Sequence, residues 1–144
     1  MAVSDIKELL DAYDGQYLIL DYNHLFVSGS LREEVWLLRR ADEPALVSEI
    51  LEAARAFGIR EASAEKGFDT YSGGQQAILG CLLAMALIRA GGRSGVRLLL
   101  SNVMDSISGK NRRRLRSLFA DMAASHGLRL FIPRDGGLRE LELP

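Results

Sequence analysis

Twelve consecutive residues, Ala77 to Ile88, carry no charge and no strong hydrogen-bonding side chain. Ser72-Gly73-Gly74-Gln75 precedes the run and Gly91-Gly92 closes it, so it reads as one helix from about Gln75 to Ala90. A helix that is apolar around almost its whole circumference has no face to turn to water. Other elements or a partner chain must cover it. The run is shorter than the roughly 20 residues that cross a bilayer, which predicts a deeply buried core helix.

The rest of the chain supplies the cover. Asp5 to Tyr13 has apolar residues at helical spacing, and Asp14-Gly15 marks a turn. Tyr17 to Leu20, Arg97 to Leu100 and Leu128 to Ile132 are short apolar runs of the kind found in buried parallel strands. Ser30 and Glu33 have capping-box spacing, predicting a helix that packs through Val35, Trp36 and Leu38. Asp42 is the expected cap of the next helix, with Pro44 in its first turn and Gly58 as its stop. Leu115, Leu118, Phe119 and Met122 lie on one face of a helix from Asn111 to His126, ended by Gly127. His126 then sits in a last turn, where it complements the helix dipole. Leu138 to Leu143 reads as a short edge strand or a frayed tail. Strands alternating with helices predict an α/β sandwich with a mostly parallel sheet and a helical insertion at about 30–90, in one domain of 144 residues.

Composition excludes several classes of function. The 18 basic and 19 acidic residues leave a net charge of −1, which gives no reason to expect a nucleic-acid partner. A single cysteine, Cys81, cannot form an intrachain disulfide and sits in the apolar run. The acidic, polar start has no signal-peptide pattern, so the expected location is the cytoplasm. No His, Cys, Asp or Glu cluster has metal-ligand spacing, so no metal is expected. Arg112, Arg113, Arg114 and Arg116 are crowded at the start of a helix. Without interleaved aromatic residues, they read as a solvated face.

The sharpest local motif is Tyr71 to Gln76. A serine and two glycines at a helix N-terminus leave amides pointing outward at the positive end of the dipole, without a Cβ to hold a phosphate away. Such a stretch serves equally as an ordinary capped helix preceded by a flexible turn that needs small residues. Ser-Gly-Gly-Gln before a long helix resembles the signature motif of ABC ATPases. Other segments resemble that family in order and spacing. Val3 to Ile6 resembles its G-x-D-I stretch, and Leu25 to Val35 resembles the exporter-type L-F-x-G-[TS]-[IL]-R-E-N-[IV] segment. Gly67 to Thr70 resembles G-Y-D-T before the signature. Leu98 to Leu100 takes the place of Walker B, and Asn111 to Leu115 opens the helix after the D-loop.

The resemblance implies a partial P-loop NTPase sandwich of the ABC type, together with specific losses. G-x-x-x-x-G-K-[ST] is absent, and the three lysines, Lys7, Lys66 and Lys110, do not replace it by spacing. The Q-loop glutamine falls at Asp21, and the Walker B aspartate and catalytic glutamate at Ser101 and Asn102. The D-loop aspartate falls at Ser108 and the switch histidine near Arg134. Neither Ser101 nor Asn102 supplies a carboxylate for Mg²⁺ or for the attacking water. The resemblance thus implies a catalytically inactive protein with no cofactor of its own, whose Ser72, Gly73, Gly74 and Gln75 touch ATP in trans on a partner. That partner is a second copy or a full-length ABC ATPase subunit, with a membrane transporter beyond it and a location peripheral to the inner membrane. The alternative is half of a split ATPase whose P-loop another chain supplies. A chromosome-organising or DNA-repair head domain, and a folded remnant with no nucleotide role, are further readings.

Overall fold

The computed structural model describes residues 17–143. The helix expected over Asp5 to Tyr13, the Val3 to Ile6 segment and Lys7 lie outside them. Four strands, β1 (Leu18–Asp21), β2 (Arg97–Ser101), β3 (Arg129–Arg134) and β4 (Gly137–Leu141), form one sheet in the order β1-β2-β3-β4. The first three are parallel, and β4 returns antiparallel along β3. Helices α1 (Leu31–Arg39), α2 (Pro44–Ala56) and α3 (Gly73–Ala90) lie between β1 and β2, and α4 (Gly109–His126) joins β2 to β3. The molecule is therefore α/β, with a mostly parallel sheet and a helical insertion. The expected edge strand is β4.

The apolar helix is α3. It has 18 residues, which makes it long and apolar enough by length and composition alone to cross a membrane. Its apolarity is used inside the domain, where Ala77 to Ala86 and Ile88 are all buried. Leu20, Leu98, Leu100 and Leu130 from one sheet face meet α2, α3 and α4 in a single core. The alternation of a strand sends Leu99 and Phe131 to the opposite face, where Tyr17 and Leu138 pack on them. Leu18 and Ile19 at the β1 edge stay about 40% exposed.

Local signals fix most boundaries, and three details differ from expectation. Ser30 caps α1, its Oγ accepting from the Glu33 amide at 3.4 Å, but Glu33 returns to the Gly29 amide rather than to that of Ser30. Asp42 does not cap α2. Glu43 holds the N-cap position without a side-chain bond, and the Asp42 carboxylate instead pairs with Arg32 at 3.4 Å. A proline at the first helical position already removes one orphan amide, which lowers the demand for a side-chain cap. Trp36 and Leu38 do not pack. They are 54% and 50% exposed, because α1 turns Leu31, Glu34 and Val35 inward. Gly127 ends α4 at φ 66°, a left-handed cap that only glycine adopts without strain.

Glu34 is the one buried residue of α1 that carries a charge. Its carboxylate accepts from the Val27 amide at 3.1 Å, the Ser28 amide at 2.9 Å and the Ser28 hydroxyl at 2.6 Å. These bonds tie the preceding loop to the helix. The same loop meets Gly67 to Thr70: Phe26 stacks on Phe68 with centroids 3.6 Å apart, and the Phe68 amide donates to the Gly29 carbonyl at 2.9 Å.

Candidate functional site

The α3 N-terminus is built as a reciprocal cap. Ser72 Oγ accepts from the Gln75 amide at 3.2 Å, and Gln75 Oε1 accepts from the Ser72 amide at 3.0 Å. Gln76 Nε2 donates to the Tyr71 carbonyl at 3.1 Å. The Gly73 and Gly74 amides, one and two positions inside the cap, are the orphan donors left over.

Tertiary packing gives the two glycines a second reason to be small. A Cβ on Gly73 would collide with the Tyr22 hydroxyl, and one on Gly74 would lie 2.7 Å from the Ser106 carbonyl oxygen. Tyr22 follows β1 and Ser106 follows β2. The turn therefore rests against the segments that leave the C-terminal ends of two parallel strands. The chain's own packing therefore excludes a Cβ at either glycine.

The remaining sequence-predicted positions gather at that same end of the sheet. Asp21 and Ser101 are partners across the β1–β2 ladder. Asp21 is buried and caps the short 3-10 turn Tyr22–His24, its Oδ1 accepting from the Asn23 amide at 3.2 Å. Ser101 is 1% exposed, and its hydroxyl has no hydrogen-bond partner. Asn102 stands at φ 57°, the left-handed region that asparagine tolerates better than most residues. Ser108 caps α4, accepting from the Asn111 amide at 3.4 Å. Arg134 ends β3 and is paired with Gly137 across the hairpin. Asp21, Asn102 and Ser108 thus each meet a local backbone requirement, while the Ser101 hydroxyl does not.

A cavity of about 630 Å³ opens beside these residues, between α4, the turn after β2 and the β3–β4 hairpin. Its origin is in the ladder. The β2–β3 pairing stops at Leu99 and Phe131, and beyond it Pro133, which has no amide to donate, leads β3 toward β4. Ile132, Leu141 and Leu143, half-buried over the core residues Leu100, Phe119 and Leu130, give the cavity its accessible apolar lining, and Asn102 and Arg134 reach it from the sequence-predicted set. Arg112, Arg113 and Arg116 also line it. They are exposed, as expected of a solvated face, but they border a concavity. The sequence signal was present: five cations lie between residues 110 and 116, and α4 has no acidic residue in its first turn.

Two features concern chemistry elsewhere. Burial pushes the Cys81 thiol up to about 12, which keeps it protonated and unreactive in the folded protein. Among the described residues, no three His, Cys, Asp or Glu side chains gather where they could share a metal ion. No protein-family model matches this chain, and no curated protein matches it.

Proposed function

We propose that the chain is a non-catalytic relative of the ATP-binding domains of ABC transporters, acting in the cytoplasm as a regulatory or structural partner of an active ABC ATPase. The resemblance of its motifs supports the family. One observation supports the loss of chemistry: at the end of β2, where hydrolysis would need two carboxylates, a sealed serine hydroxyl is followed by a left-handed asparagine. Serine and asparagine neither neutralise Mg²⁺ nor take a proton from water at neutral pH.

In this reading the partner holds the nucleotide. Ser72, Gly73, Gly74 and Gln75 form the surface that closes on it, and the leftover Gly73 and Gly74 amides meet a phosphate oxygen. The partner is a second copy or a full-length ATPase subunit, with a membrane transporter attached through it. The split-enzyme reading is weaker. The β3 edge is already occupied by β4, so a strand supplied by another chain would have to pair elsewhere, and the missing carboxylates would still be missing.

The test uses the purified chain with a fluorescent ATP analogue, then with an ABC ATPase encoded in the same genome. The expected result is no turnover alone, and an association with the ATPase that changes its hydrolysis rate. Ser72→Asp keeps a good cap while placing negative charge at the turn, so it should remove the ATP-dependent part of that association. Magnesium-dependent hydrolysis by the chain alone would overturn the proposal.

A further inference from the structure

We propose that the cavity between α4 and the β3–β4 hairpin binds a small organic anion with an apolar body. Its acidic head is held by Arg112, Arg113 and Arg134, and its body lies on Ile132 and Leu141. This inference stands independently of the family resemblance.

Charge carries the first half of the argument. Four arginines line the cavity, Arg112, Arg113, Arg116 and Arg134, against the single carboxylate of Asp105. Arg116 is tied to the Glu142 carbonyl at 3.2 Å. The side chains of Arg112, Arg113 and Arg134 have no hydrogen bond or ion pair among the described residues. Arg112 and Arg113 stand at the positive end of the α4 dipole, where cations are disfavoured. Arg112 and Arg116 are four apart and Arg113 and Arg116 three apart, so they repel along the helix. A merely solvated face would scatter these charges or interleave acids. Concentrated, unpaired and set against the dipole, they form a site that an anion would relieve, and guanidinium groups suit phosphate and carboxylate.

Shape carries the second half. About 630 Å³ lies within the range of small-molecule sites, and the half-buried Ile132, Leu141 and Leu143 set apolar surface beside the arginines. Inorganic phosphate would leave that lining wet, whereas an acyl or aryl chain would cover it.

The test is calorimetric titration of the full chain with hexyl phosphate, inorganic phosphate and hexyltrimethylammonium. Hexyl phosphate should bind at least about tenfold tighter than inorganic phosphate, and the ammonium should not bind. The Arg112→Gln/Arg113→Gln variant changes exposed side chains only. It should weaken hexyl phosphate by about tenfold or more, while Arg93→Gln, outside the cavity, leaves affinity unchanged. Equal affinity for hexyl phosphate and inorganic phosphate would overturn the inference. So would retention of affinity by the double variant. Tight, arginine-dependent binding of a dT12 oligonucleotide, with none of hexyl phosphate, would assign the surface to nucleic acid instead.

Discussion

Replacing Gly73 with alanine gives opposite results depending on a residue fifty-one positions earlier in the chain. In the native background the new Cβ meets the Tyr22 hydroxyl, and a rigid phenol ring cannot fold its oxygen away. Overpacking of this kind costs roughly 1–3 kcal/mol. Alanine returns some of that through helix propensity, at most about 1 kcal/mol and less in a first turn. The net expectation is a loss of about 1–2 kcal/mol. Tyr22→Phe removes the oxygen, which makes no hydrogen bond among the described residues, and leaves the ring Cζ 3.5 Å from the same Cβ, an ordinary contact. In that background Gly73→Ala should be neutral or stabilising by about 0.5 kcal/mol. The coupling energy is then roughly 1.5–2.5 kcal/mol, well above the additivity error for distant sites. Urea unfolding of the four proteins measures it, provided the m-values agree. Gly74→Ala is the control: it meets the Ser106 backbone carbonyl, which Tyr22→Phe does not move, so its loss should be the same in both backgrounds. An equal loss from Gly73→Ala in both backgrounds would refute the idea that this chain's own packing excludes a Cβ at Gly73.

Glu34→Gln turns one carboxylate oxygen into a donor facing the Val27 and Ser28 donors, and should lower stability by about 2–3 kcal/mol in the same urea assay. Ser101→Ala removes a buried hydroxyl without a partner and should raise stability by roughly 1 kcal/mol. A lower midpoint would mean that the hydroxyl is satisfied in solution. Cys81 sets a pH dependence. The unfolded thiol ionises near pH 8.5, but burial raises the folded value to about 12. This contribution is therefore fully present below about pH 8.5 and is lost as pH rises toward 12, by up to about 1.4 kcal/mol per unit. Cys81→Ala should flatten that alkaline slope. At pH 8 a thiol reagent should label Cys81 only as fast as the core opens.

The local features of this fold were legible because their causes are local. Ser72 caps α3 and Gly127 ends α4 through atoms within a few residues, and the periodicity of Leu115, Phe119 and Met122 marks one helix face wherever that helix goes. Spacing does not separate Trp36 and Leu38 from core residues, because Val35 is followed by three apolar residues and only the seat of α1 against α2 decides which of them is covered. Asp42 had the right chemistry for a cap but stands one residue too early, with Arg32 within reach.

What the sequence determined alone is therefore the main strands and helices among the described residues, the buried apolar helix and the absence of a carboxylate pair after β2. Those follow from side-chain chemistry and spacing along the chain. The tertiary structure decided which atoms bar a Cβ at Gly73 and Gly74, and which arginines share a cavity with Ile132 and Arg134. Those depend on residues brought together from different strands and helices, and the spacing of residues along one segment carries no information about the atoms another segment sets against it.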